Sequence, residues 1–132
     1  MKGLTSIRSR FGSKETMDRL QAEIRAQAMT VFSRIDHAAG AAEASLELRS
    51  TELIIFGRAR GGTPLMQSVQ TVGIDLPLKA LVWDDASGAT WLSYNEPRWI
   101  AQRHNIANAP LVVSKMTAAL SAMSKKATGN AA

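Results

Sequence analysis

The chain of 132 residues is one domain's worth, long enough to bury about two-thirds of its unfolded surface around a single core. It contains no cysteine, which excludes disulfides, thiolate metal ligands and cysteine nucleophiles. The net charge of +5 is uneven: residues 1–34 carry seven basic and three acidic side chains, residues 35–97 four and eight, and residues 98–132 five and none, so the surface is not uniformly basic like a phosphate-neutralising one.

Residues 3–9 predict a short strand. Ser13 then reads as a helix N-cap for residues 14–27, with Glu15 and Asp18 in or near the first turn. Met17, Leu20 and Ile24 follow at helical spacing, and Glu15–Arg19 and Arg19–Glu23 are potential i,i+4 pairs. Residues 29–36 predict a strand with Met29, Val31 and Ile35 on one face. An alanine-rich short helix follows at 38–47, interrupted by Gly40. Leu53-Ile54-Ile55-Phe56 is apolar on both faces and reads as a central strand covered on both sides.

Gly57 to Gly62 reads as a loop, and Thr63-Pro64 as the N-cap and first position of a helix over 64–70. Leu76 to Asp84 predicts a strand with Leu78, Ala80 and Val82 on one face and Leu81 and Trp83 on the other; Pro77 suits only its start or an edge. Asp85-Ala86-Ser87-Gly88 fits a type I turn closed by a left-handed glycine. As a three-residue loop that turn pairs Asp85 with Ala89 and sets Trp83 opposite Trp91, with Leu92 and Tyr94 on the other face; a four-residue loop would instead pair Val82 with Trp91. Asn95-Glu96-Pro97 starts a helix running to about His104, which Asn105 caps. Pro110 opens a last helix to about residue 125, with Val113, Met116, Leu120 and Met123 as its apolar stripe, and 126–132 reads as a frayed tail. The order predicts one α+β domain over 1–125, with helices packed on a mainly antiparallel or mixed sheet.

Five blocks carry a family resemblance. They are Arg34-Ile35-Asp36-His37-Ala38-Ala39-Gly40-Ala41, Thr51 to Gly57, Gly62-Thr63-Pro64-Leu65-Met66-Gln67, Gly73-Ile74-Asp75-Leu76-Pro77-Leu78-Lys79 and Trp91-Leu92-Ser93-Tyr94-Asn95. In this order and spacing, over roughly residues 3–105, they resemble the domain of unknown function (DUF) 302 family. The resemblance implies a TATA-binding-protein-like (β-α-β4-α type) fold, with helices against a curved antiparallel sheet, and a homodimer. It implies no reaction. Where the family pattern resembles Asn-Pro-Lys-Ala-Gly, this chain has Arg58-Ala59-Arg60-Gly61-Gly62: the proline is replaced and a second arginine appears.

Candidate chemistry is local. Arg58, Arg60, Gly61, Gly62 and Thr63 combine two forked cations, close backbone approach and a helix start; they fit either a phosphate or carboxylate site or a solvated connection. No Lys-Ser/Thr follows the glycines, so this is not a P-loop. His37, at a strand end, is a candidate ligand contact or general base, or a partner of nearby backbone; Asp36 points to the opposite face. Lys79 is a candidate electrostatic partner. Two distant histidines fall short of a zinc set, and Asp84-Asp85 lacks calcium-loop spacing, so neither a metal nor a cofactor is expected. Nucleophile motifs such as GxSxG or SxxK are missing. Trp83, Trp91, Tyr94 and Trp99 read as a core hairpin under helix 97–104 rather than a stacking platform for single strands.

No apolar run reaches membrane-spanning length, and the first eight residues lack a signal-peptide core. The expectation is a cytoplasmic protein with no membrane partner and no specific nucleic-acid partner. Its expected function is non-enzymatic binding of a small anionic or amphipathic ligand. The alternatives are an enzyme using His37 with Arg58, Arg60 or Lys79, and an interaction protein acting through a homodimer surface.

Overall fold

The computed structural model describes residues 1–130. Its elements, in order, are β1 (Leu4–Arg8), α1 (Ser13–Ala26), β2 (Thr30–Asp36), α2 (His37–Glu43), β3 (Thr51–Gly57), α3 (Ala59–Ser68), a 3-10 helix (Gln70–Ile74), β4 (Leu78–Asp84), β5 (Thr90–Asn95), α4 (Pro97–Arg103) and α5 (Pro110–Thr128). The five strands form one open sheet in the order β1-β5-β4-β3-β2, with every neighbouring pair antiparallel. The α+β class and the antiparallel sheet expected from the sequence are both present.

Strand alternation sorts the sheet into two unlike faces. Ile54, Phe56, Ala80, Val82, Leu92 and Tyr94 are buried on one face. Met17, Leu20 and Ile24 of α1 and Leu120 and Met123 of α5 complete that core. The other face carries Leu53, Ile55, Leu81, Trp83 and Trp91, all half-buried. β3 is therefore not covered on both sides: its Leu53 and Ile55 look away from α1 and α5.

A bulge in β2 changes what the alternation predicts. Val31 pairs with Phe56 and Ser33 with Ile55, so Phe32 is an extra residue without a partner. Beyond it the faces exchange. Arg34 turns to the α1 side, where it donates two hydrogen bonds to Glu52 (3.0 and 2.8 Å) and one each to Asp18 (3.1 Å) and Gln21 (3.0 Å). Ile35, expected beside Met29 and Val31, instead opposes Leu53 on the half-open face.

Helix ends differ in detail from the local signals. α1 begins at Ser13 with Gly12 as its cap residue and no side-chain cap. Thr16 donates to the Gly12 carbonyl (2.8 Å), while the Ser13 hydroxyl is engaged by Ser50 (2.9 Å). The i,i+4 pair formed on α1 is Lys14–Asp18 (2.8 Å). Arg19 lies over the Phe11 ring at 4.2 Å rather than pairing with Glu15 or Glu23. Asn105 takes the left-handed conformation (φ 53°) after α4, and Ile106 N–H donates back to Ala101. α5 runs past 125 to Thr128, and the Asn130 amide donates to the Arg8 carbonyl (2.9 Å). Of the tail expected over 126–132, residues 131 and 132 lie outside the described residues.

The late hairpin follows its turn chemistry. Asp85 N–H donates to Ala89 (2.8 Å), Gly88 N–H to Asp85 (3.0 Å), and Gly88 is left-handed at φ 86°. Trp83 stands opposite Trp91. The Asp85 carboxylate accepts from the Ser87 hydroxyl, the Trp91 indole and the N–H groups of Ala89 and Ser87, which hold its pKa well below the ordinary carboxylate range.

Two stability predictions follow from this frame. Phe56 is fully buried, so Phe56→Ala costs about 3–5 kcal/mol, read as a fall in the urea midpoint. The depressed Asp85 pKa means that its contribution is complete above the unfolded value of about 4 and fades as pH falls toward the folded one. Asp85→Ala therefore lowers the melting temperature at pH 7, and the gap from the parent narrows at pH 2; a gap constant with pH would contradict the role given to this carboxylate.

Candidate functional site

The segment after β3 is helical earlier than its composition suggests. Arg58 is extended, and its carbonyl accepts from Gly61 N–H (3.0 Å) and Gly62 N–H (3.2 Å), so α3 starts at Ala59. Gly61 and Gly62 are helical rather than loop residues, and Pro64 sits inside the helix instead of opening it. The bond that a residue with an N–H would donate from position 64 is the one to the Arg60 carbonyl, in the first turn of the helix.

This helix forms one wall of a cavity of about 650 Å³. The opposite wall is α5, through Val112, Lys115, Met116 and Ala119; Leu76, Pro77 and Leu78 close it where the chain enters β4. Phe32, the bulged residue of β2, and Met29 complete the lining. The interior is largely apolar and rich in methionine, a side chain that adapts to irregular ligands. Three cations, Arg58, Arg60 and Lys115, lie on its exposed margin, and no carboxylate among the described residues lines it. None of the ion pairs among the described residues involves these three. Arg58 donates only to the backbone carbonyl of Gln27 (3.2 Å).

Five of the sequence candidates therefore converge on one concavity: Arg58, Arg60, Gly61, Gly62 and Thr63. His37 and Lys79 do not join them. His37 is exposed at the first position of α2, whose N-terminus is capped by the Asp36 carboxylate through Ala39 N–H (2.9 Å). Lys79 lies on the half-open face, its ammonium donating to the carbonyls of Pro77 (3.0 Å) and Asp75 (3.3 Å). Lys115 was missed because it lies outside the motif blocks, on the last helix, more than 50 positions from Arg58. Among the described residues, no group of three or more histidines and carboxylates could hold a metal ion.

Two further features differ from expectation. Trp83 and Trp91 stack with ring centroids 6.3 Å apart on the half-open face, not beneath α4. Their indole N–H groups donate to Ser93 and Asp85 (2.9 Å each), so the pair is fixed in place. The other histidine, His104, is nine-tenths buried between Thr71 and Asp75.

A sequence model of the family described as domain of unknown function DUF302 matches residues 5–123, which takes in most of α5 as well as the blocks before it. The protein called fluoride-specific ion channel FluC 1 in Brucella suis biovar 1 (strain 1330) is 44% identical over 129 residues, covering 97% of this chain and 51% of that protein. Fluoride-specific ion channel FluC 2 of Brucella melitensis biotype 1 matches at 44% over 129 residues, covering 97% and 48%. The chain thus spans about half the length of the curated relatives it matches, and no helix among its described residues is long and apolar enough to cross a membrane. A crystal structure of an uncharacterized conserved DUF302 protein from Bacillus stearothermophilus superposes with a TM-score of 0.86 over 96% of this chain and 99% of that one, at 16% identity. That likeness concerns the fold alone.

Proposed function

The chain belongs to the DUF302 family, whose name assigns no reaction, and we propose that it is a binding module for a small amphipathic anion seated between α3 and α5. One observation carries this reading: an apolar cavity whose only charged lining residues are Arg58, Arg60 and Lys115. Its volume of about 650 Å³ lies in the range that holds small organic ligands. The guanidinium forks of Arg58 and Arg60 suit a carboxylate or phosphate, and the first N–H groups of α3 add partial positive charge beside them. Met66, Leu76, Met116 and Ala119 would take the apolar part of the ligand. The Brucella proteins called fluoride channels contain about as much chain again beyond the matched segment. In a protein of that kind, the part like this chain would be the ligand-binding half beside a conducting one.

A second reading is favoured by the half-open sheet face. Leu53, Ile55, Leu81 and the Trp83–Trp91 stack form a contiguous apolar surface that a second copy could cover face to face.

Each reading has its own measurement. Titration calorimetry with dodecanoate and dodecyl phosphate is expected to give saturable one-to-one binding. The exposed double variant Arg58→Glu/Arg60→Glu weakens it about 10- to 100-fold by removing charge-assisted contacts. Equal affinity for dodecanol, or an unaffected double variant, would sink the anion reading. For the second reading, sedimentation velocity of the parent shows a dimer that Leu81→Arg converts to monomer; a parent that sediments as a monomer at all concentrations rules the dimer out.

A further inference from the structure

Apart from the cavity, a second group of side chains has the arrangement of a reactive site. Thr71 lies in the first turn of the 3-10 helix, Asp75 just after that helix, and His104 at the end of α4. The Thr71 hydroxyl is 2.9 Å from His104 Nδ1, and His104 Nε2 is 2.5 Å from Asp75 Oδ2. Arg103 donates through one nitrogen to both Asp75 oxygens, at 2.9 Å each. None of the four residues lines the cavity between α3 and α5.

The chemistry of the donors fixes the imidazole tautomer. A carboxylate can only accept, so His104 Nε2 carries the hydrogen. In the neutral ring, Nδ1 is then left with a lone pair, and the partner it meets is the Thr71 hydroxyl. A hydroxyl donating to an imidazole nitrogen, whose other nitrogen donates to a buried carboxylate, is the order of groups that activates an alcohol nucleophile. Asp75 and His104 are only about a tenth exposed, whereas Thr71 is open to solvent. The base is thus held in packed surroundings and the nucleophile is reachable. Side chains three apart on a 3-10 helix eclipse one another, so Ile74, 75% exposed, stands on the same side as Thr71. It offers an apolar contact beside the hydroxyl.

We propose that Thr71, His104 and Asp75 form a hydroxyl–imidazole–carboxylate relay that cleaves small acyl esters, with Ile74 against the acyl group. Thr71 Oγ1 bonds to the ester carbonyl carbon while its proton passes to His104 Nδ1. Collapse of the tetrahedral adduct breaks the bond to the alcohol oxygen, which leaves with that proton. Water then attacks the acyl-threonine, giving a proton to Nδ1, and the acid departs as Thr71 Oγ1 is reprotonated. The balance is ester plus water to acid plus alcohol. Thr71 and His104 are the catalytic residues; Asp75 positions the ring, and Arg103 positions Asp75.

The test uses the intact chain with p-nitrophenyl acetate as substrate and a fluorophosphonate as label. The parent hydrolyses the ester above the buffer rate and gains one phosphonyl group, mapped to Thr71 by peptide mass spectrometry. Thr71→Ala, at an exposed position, keeps the parent's circular dichroism, loses the label and slows hydrolysis about 100-fold. Thr71→Ser retains both. Asp75→Asn, whose amide can donate to Nε2 and reverse the tautomer, slows labelling and displaces its pH profile, which a purely structural contact would leave in place. An unlabelled parent, a label on another residue, or a Thr71→Ala protein as fast as the parent overturns the proposal.

Discussion

The one-sided burial of the sheet is the constraint on which the rest depends. Ile54, Phe56, Val82 and Leu92 are all but inaccessible because strand alternation sends them together toward α1 and α5. That face must be dry, since each large apolar side chain buried there contributes about 1.5–3 kcal/mol. The same alternation fixes what is left on the other side. Leu53, Ile55, Leu81 and the tryptophan pair cannot be moved without pulling their neighbours out of the core, because a one-residue slip exchanges the faces of a strand. The half-open apolar face is therefore a consequence of the core rather than an independent feature.

The cavity arises from the same arrangement. α5 packs on α1 and reaches the β1 edge, while α3 follows β3 directly and meets α5 over its first half. At the gap between them, the bulge at Phe32 releases one aromatic side chain from the ladder, and that side chain becomes part of the lining. A regular β2 would instead hold Ile35 on the core side and bury no arginine there. The bulge thus does two things at once: it supplies Phe32 to the cavity mouth and turns Arg34 inward to meet Glu52 and Asp18. The hydrogen bond to Glu52 first, and that to Asp18 after it, raise the Arg34 pKa further, and Asp18 is in turn held below its ordinary pKa by Lys14 and Arg34.

What the sequence disclosed depended on the range of the interaction. The hairpin at Asp85–Gly88 was legible down to a choice of two registers because its turn chemistry is contained within five positions, and the three-residue loop is the one formed. The buried stripe Met17, Leu20, Ile24 and the strand alternation of β4 were legible for the same reason. The start of α3 was misread because Thr63-Pro64 is a strong local start signal, and the fold overrides it by letting the Arg58 carbonyl begin the helix. The bulge was invisible: nothing in Thr30–Asp36 marks Phe32 as the unpaired residue, since the choice is made by the partner strand. The tryptophans were placed in the core because their size favours burial, whereas alternation with the buried Val82 and Leu92 sends both to the opposite face. The Thr71–His104–Asp75 group spans 33 positions, and no motif spacing joins it.

Charge gives the sharpest example of how folding rearranges a linear pattern. Along the chain, Arg58 and Arg60 lie in the net-negative central stretch, and Lys115 in a stretch without acids. In the fold, these two and Lys115 of α5 come to one margin, while several carboxylates of the central stretch are engaged elsewhere. Glu52 accepts from Arg34, Asp75 from Arg103 and His104, and Asp85 is tied into its own turn. A negative stretch therefore contributes to the positive rim, because none of its acids lines that cavity. These arginines are worth more for this: a cation already satisfied by a carboxylate must lose that partner before it meets a ligand, and Arg58 and Arg60 have none among the described residues.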